Sequence, residues 1–287
     1  MKRTSLYTIL FALAFITLTA FTYFKRHKEN VAQTKTALKI VKTWTLPASL
    51  NEVSGIAWAA DNLIACVQDE EGKIFLYDIV QHKVVQEIAF ADAGDYEGIS
   101  VVNNDAYVMR SDGLLYQIKN YRSADRQVHS FQTAFNADNN IESLHYDAKQ
   151  HTFITIPKDD DKEETSKNIY RVKEGQNGKW ITTPTFKIDM QASELKEFRG
   201  KKVAKTLNLS ELAIDPKSED ILVLEGKNPK LLVLSAEGKI KQVYTLDKSL
   251  YAQPEGLTFS PDGRMFIANE AGKKDGKANI VEVRLNR

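Results

Sequence analysis

The chain has 287 residues, 43% of them hydrophobic, with 39 Lys and Arg against 38 Asp and Glu and a single cysteine, Cys66. This length and apolar content suffice for a sizeable core. A formal charge of +1 leaves no basic excess for nucleic acid, and one thiol excludes an internal disulfide. No G-x-S-x-G, P-loop or dinucleotide fingerprint is present, so serine-hydrolase, phosphate-loop and nicotinamide chemistry have no motif to rest on.

Lys2 and Arg3 precede an uncharged, mostly apolar run from Thr4 to Phe24, and Lys25, Arg26 and Lys28 follow it. About 20 residues span a bilayer core. No A-x-A site and no cysteine for lipid attachment follows, so residues 1–28 read as an uncleaved signal anchor, a cleaved signal being the alternative. The expected location is the plasma (inner) membrane, single-pass, with the body on the periplasmic side; basic residues on both flanks specify that orientation weakly. Residues 29–37 read as a linker, and LKIVKTWTLP, residues 38–47, as a lone strand.

A short phrase then recurs five times: NEVSGIAW, DYEGISVV, NIESLHYD, LSELAIDP and QPEGLTFSPDG. Its glutamates, Glu52, Glu97, Glu142, Glu211 and Glu255, are separated by 45, 45, 69 and 44 residues. A repeat of this period means a propeller or another array, the long interval carrying an insertion over about residues 158–205. After the phrases come runs such as LIACVQD, AYVMRSDG, ILVLEG and RMFIANE. These are β-branched and aliphatic stretches bounded by Gly, Asp and Asn, which is strand chemistry with turn punctuation. The predicted fold is all-β: a five-bladed β-propeller over residues 38–287, six blades being the alternative. The lone N-terminal strand would complete the last, short blade and remove an exposed edge.

Taken in order, NEVSGIAW with VQDEEGKIFLYDI, DYEGI, NIESLHYD, LNLSELAIDP and QPEGLTFSPDGRMFIANE resemble the SdiA-regulated domain family, bacterial envelope propellers distantly related to NHL-repeat proteins. The resemblance spans roughly residues 40 to 285. It implies five blades and a metal site thought to be calcium, and implies no particular reaction. Ser143 and Leu144 after Glu142, and Leu212 after Glu211, stand where the family usually has glycine.

Propeller geometry places the start of each inner strand beside the end of the second strand. The five glutamates are therefore expected to ring one channel mouth, with Asp69, Arg110, Lys158, Glu225, Asn269 and Glu270 in the neighbouring position. Like charges there raise one another's pKa, so either a cation sits among them or Arg110 and Lys158 neutralise part of the ring. Oxygen-only donors suit Ca²⁺, and Glu52, Glu97 and Glu255 are favoured because Gly55, Gly98 and Gly256 follow them closely and leave room for backbone near a ligand. The competing reading makes the glutamates acceptors for backbone N–H groups of the neighbouring blade. The five histidines, His27, His82, His129, His145 and His151, form no zinc-spaced cluster. His145 is the one imidazole placed to reach the mouth.

KDDDKEETSK, residues 158–167, reads as a solvated hairpin tip, and residues 190–205 as a small helix over one face or a lengthened loop. Two functions stay open. One is a tethered module that binds a small ligand or an envelope protein; the other is a calcium-dependent lactonase or phosphoesterase.

Overall fold

The computed structural model describes residues 38–159, 165–272 and 276–285. The chain divides into two compact units, residues 1–39 with 285–287, and residues 40–284. The expected anchor and linker, and residues 160–164 of the acidic hairpin tip, lie outside the described residues. Among those described, no helix is long and apolar enough to cross a membrane.

The second unit is a ring of five four-stranded antiparallel sheets. Blade 1 holds β2 (Val53–Ala60), β3 (Leu63–Gln68), β4 (Lys73–Asp78) and β5 (Lys83–Ala89). Blade 2 holds β6 (Tyr96–Val102), β7 (Asp105–Arg110), β8 (Leu114–Lys119) and β9 (Gln127–Gln132). Blade 3 holds β10 (His145–Asp147), β11 (Thr152–Thr155), β12 (Ser166–Glu174) and β13 (Trp180–Asp189). Blade 4 holds β14 (Leu209–Ile214), β15 (Ile221–Glu225), β16 (Lys230–Leu234) and β17 (Ile240–Thr245). Blade 5 combines β18 (Pro254–Phe259), β19 (Met265–Asn269) and β20 (Asn279–Leu285) with the N-terminal β1 (Leu38–Thr45) as its outer strand.

Burial explains the sequence pattern. Middle strands such as β15 and β16 are covered on both faces and read as continuous aliphatic runs, buried at every residue. Outer strands such as β5 face water on one side and alternate, as half-buried strands must. Closure is fastened by Trp44 of β1, whose Nε1 donates to the Ile79 carbonyl of blade 1 at 2.7 Å. Across the same seam Trp58 stacks on Phe266 with ring centroids 5.4 Å apart. Cys66 is fully buried, and burial pushes its thiol up, out of any nucleophilic range.

Residues 190–205 fold into two short 3₁₀ turns, Ser193–Phe198 and Val203–Lys205, instead of the small helix that composition suggests. Leu195 and Phe198 are three apart, the spacing that aligns on a 3₁₀ turn. Leu195 is buried in the core shared by blades 3 and 4, with Phe198 and Val203 packed against it. The segment is a packed connection between blades, and no lid.

Hydroxyls and glycines join the blades. Ser100 Oγ donates to Leu144 O at 2.8 Å, and Thr258 Oγ1 accepts from Trp58 N–H at 3.1 Å. Gly55, Gly98 and Gly256 let inner strands touch: a Cβ on them would lie 2.3 Å from Glu97 O, 2.5 Å from Leu144 N and 2.9 Å from Ile56 Cγ1. Their role is blade-to-blade approach, which corrects the expectation that they leave room for a ligand. Gly55→Ala sets a side chain against backbone that no rotamer change relieves, so a loss of about 2–3 kcal/mol is expected. Gly200→Ala, with its nearest atoms 3.8 Å away, should stay within about 0.5 kcal/mol of wild type. Thermal melts of the two variants check both expectations.

Candidate functional site: an acidic channel mouth in two tiers

The register of the inner strands sorts the repeated phrases. In four blades the pairing of the first two strands skips one residue, a β-bulge: Ser54 in blade 1, Glu97 in blade 2, Ser210 in blade 4 and Glu255 in blade 5. In blade 3 one residue is likewise in excess between Ile141↔Pro157 and His145↔Ile154, which aligns Glu142 with Glu97 and Glu255. The bulge positions thus carry three glutamates and two serines, where the sequence suggested a ring of five carboxylates. Ser54 Oγ donates to Tyr96 O at 2.5 Å and Ser210 Oγ to Pro254 O at 2.8 Å. Each serine ties its blade to the residue just before the next blade's bulge glutamate.

Glu97, Glu142 and Glu255 form the inner tier. Burial raises the Glu97 carboxyl first, then Glu142, Asp95 and Glu255, and its carboxyl is hydrogen-bonded to that of Asp95. Glu255 is pushed up to about 8 by burial and then by Glu142. The cation among them is Lys158. Its backbone N–H donates to Asn140 O at 3.0 Å, and its ammonium is bonded to Glu142 Oε1. Burial pulls that ammonium down, but Glu142, Glu255 and Glu97 outweigh it and hold it above its ordinary value. Lys158 thus neutralises part of the ring, as expected. Arg110 does not: it makes a two-pronged ion pair with Asp112, at 2.9 and 2.6 Å.

Glu211 follows its bulge by one residue and takes the slot that glycine fills in blades 1, 2 and 5. It is buried, and its carboxylate accepts from the N–H groups of Leu212, at 2.8 Å, and of Leu144 in blade 3. Here the acceptor reading of the glutamates holds. Glu225 is also withdrawn from the mouth: it is 1% exposed and ion-paired at 2.7 Å with Lys230, which is 5% exposed.

Glu52, Asp69 and Glu270 form the outer tier. Glu52 precedes its bulge by two residues and is exposed. Asp69 is pushed up to about 6 by burial, then by Glu52 and Asp95. Glu270 is raised by burial and then by a carboxyl-to-carboxyl hydrogen bond with Glu52; Gln253 Nε2 also donates to it. Asn269 is fully buried; its Nδ2 donates to Asn279 Oδ1 at 2.9 Å, while its own Oδ1 has no hydrogen-bond partner. Asp69 Oδ1 is orphaned in the same way.

The two tiers differ in how they suit a metal. In the inner tier Glu142 is bonded to an ammonium, and Glu97 and Glu255 lie within the influence of the same charge. The outer tier offers oxygen donors only, Asp69 Oδ1 among them orphaned, which is the donor chemistry of a hard cation. As the side chains stand, no three Asp, Glu, His or Cys among the described residues are gathered closely enough to hold a metal ion. A cation there would have to displace the hydrogen bond that Glu52 and Glu270 share and draw Asp69 closer to both.

His145 is not at this mouth. It lines a cavity of about 560 Å³ bounded by the C-terminal halves of the inner strands, whereas the glutamates lie at or near their starts. Sequence reasoning placed it by counting three residues from Glu142, but blade 3 begins its ladder late, at His145 itself, further down the channel.

Comparison with solved structures supports the architecture. The Myxococcus xanthus glutaminyl cyclase superposes with a TM-score of 0.57 at 14% identity, covering 86% of this chain and 96% of that one. The PQQ-bound aldose sugar dehydrogenase from Streptomyces coelicolor gives 0.52 at 12%, over 87% and 98%. A streptogramin B lyase gives 0.50 at 12%, over 86% and 98%. At these identities the likeness concerns the fold alone. No curated protein matches the chain in sequence. The SdiA-regulated family model matches residues 28–273, most of the chain and all five repeated phrases, and the protein belongs to that family.

Proposed function

We propose that the protein is a membrane-tethered binding module of the cell envelope, whose acidic mouth takes a calcium ion at its outer tier and presents that face to a small ligand or an envelope protein. The observation that carries this reading is the orphaned Asp69 Oδ1 beside the Glu52 and Glu270 carboxyls that share a hydrogen bond, with a second orphaned oxygen, Asn269 Oδ1, on the residue before Glu270. A divalent cation bound there would displace the shared proton and give both oxygens a partner. Glu52, Asp69, Asn269 and Glu270 would hold it, and its positive charge would orient an anionic or carbonyl group of the ligand.

Binding is favoured over calcium-dependent hydrolysis because the acidic mouth has no imidazole beside it among the described residues, His145 lying at the other end. Lys158, the group nearest the inner carboxylates, is held charged and so is a poor base. The tether rests on the uncharged run from Thr4 to Phe24 with its basic flanks, long enough to span a bilayer. It would place the propeller on the periplasmic side of the inner membrane.

Calcium titration of the full chain by calorimetry tests the site. One ion should bind with proton release, more tightly at pH 8 than at pH 6. Glu52→Gln and Glu270→Gln should weaken binding by about tenfold or more, the scale set by a lost charged ligand, and Glu211→Gln should leave it unchanged. Absence of binding at pH 8 with a folded protein would end the calcium reading.

A further inference from the structure

The cavity at the opposite mouth has a composition of its own. Its volume of about 560 Å³ is that of a small-molecule site. Ile56, Ile99 and Ile214 of inner strands, with Ile154 of β11, give it an aliphatic lining. Trp58, Tyr146, Phe186 and Phe259 stand around its walls, flat surfaces that suit a ring.

The charges at its edge are already engaged with one another. Arg171 pairs with Asp147 at 2.8 Å and also donates to Thr152 Oγ1 at 2.6 Å. Lys149 pairs with Glu219 at 2.8 Å. The lining hydroxyls are engaged too: Ser100 with Leu144 O, Thr258 with Trp58 N–H, Ser260 with Asp262. A charged ligand would meet no free counter-charge among these pairs, and would pay desolvation without return.

His145 differs from them. Among the described residues no hydrogen bond reaches its ring, and burial pushes its pKa down to about 4. The imidazole is therefore neutral at physiological pH, with one nitrogen to donate and one to accept. A hydroxyl or carbonyl oxygen satisfies it; a carboxylate or an ammonium does so less well.

We propose that this cavity is a second ligand site, on the face opposite the acidic mouth, for a small uncharged aromatic or alicyclic compound bearing one hydroxyl or carbonyl group. The ring lies among Trp58, Phe186 and Phe259, and the oxygen bonds to His145. The site stands independently of any cation at the acidic mouth.

The test titrates the full chain with phenol, cyclohexanone and 2-naphthol, followed by tryptophan fluorescence and saturation-transfer NMR. Naphthalene and 2-naphthalenesulfonate serve as the apolar and charged controls. 2-Naphthol should saturate one site and bind about tenfold or more tightly than the sulfonate. Ala148→Trp, at an exposed rim position, should weaken it by about tenfold or more while the melting curve stays that of wild type. His145→Phe should erase the preference for 2-naphthol over naphthalene. Glu97→Gln and added chelator should change nothing, which separates this site from the acidic mouth. Failure of all three oxygenated probes to saturate would overturn the proposal, as would undiminished binding in folded Ala148→Trp.

Discussion

Lys230→Met is expected to lower the melting temperature by roughly 10 °C, with no contact to either channel mouth involved. Glu225 and Lys230 face each other across the first pair of β15 and β16, their side chains 1% and 5% exposed and 2.7 Å apart. The Lys230 ammonium also donates to Asn228 O at 2.8 Å and lies 5.3 Å from the Phe198 ring. Burial raises the Glu225 carboxyl, and Lys230 is the largest influence holding it down. Removing one partner of a buried pair leaves the other charge stranded, at about 3–5 kcal/mol, and a propeller of this size loses about 2–4 °C per kcal/mol. Glu225→Leu combined with Lys230→Met should recover most of that loss, because two apolar side chains leave no charge behind. The sign with pH follows from the carboxyl. In Lys230→Met the folded Glu225 prefers its proton, so the loss should be larger at pH 8 than at pH 5. Thermal melts of the single and double variants at both pH values decide it; a double variant no better than the single would show that packing, not charge, is what Lys230 supplies.

Glu225 and Lys230 also mark where the sequence is legible and where it is not. The blade count, the closing strand and the four strands per blade follow from a period and from runs of aliphatic residues between turns. Both are properties of one stretch of chain at a time. Which side chain of a repeated phrase faces the channel is a property of strand pairing, and a single skipped residue moves it. Alignment on the acidic residue placed Glu52, Glu97, Glu142, Glu211 and Glu255 together. Alignment on the apolar residue before the bulge, Val53, Tyr96, Ile141, Leu209 and Pro254, brings Ser54 and Ser210 into line with three of those glutamates instead. Those apolar residues were visible in the sequence, and four of the five are wholly or almost wholly buried side chains of the core. Lys230 carried no such mark, because its partner lies across a turn in a strand otherwise all aliphatic. The second cavity was likewise unreadable: its walls come from separate blades, and nothing local links Trp58, Phe186 and Phe259.

Lys158→Met tests the inner tier through its pH dependence. The carboxyls of Glu97, Glu142 and Glu255 are all raised by burial before any neighbour acts. A carboxyl raised on folding binds more protons in the folded than in the unfolded state, so stability is lost as pH climbs from the unfolded value towards the folded one. For Glu255 that window runs from 4.5 to about 8. Lys158 opposes the loss by lowering Glu142 and Glu255. Without it, three buried carboxyls have no counter-charge and folding must protonate them, so about 3 kcal/mol of stability should go at pH 8, or about 6–12 °C. At pH 5 the three carboxyls hold their protons in either protein, and the two melting curves should nearly coincide. Glu97→Gln should act in the opposite direction, raising the melting temperature by a few degrees at pH 8 and by little at pH 5, because it removes a carboxyl that must take up a proton on folding without taking Lys158's partner, Glu142. The two variants together distinguish a ring that is internally balanced from one that depends on an added cation. If calcium, not Lys158, supplied the balance for the inner tier, chelator would reproduce the Lys158→Met loss in wild type at pH 8. If Lys158 supplies it, chelator should cost Glu52→Gln, in which the outer-tier ion is already weakened, no more than about 2 °C there, well short of the loss a stranded charge produces.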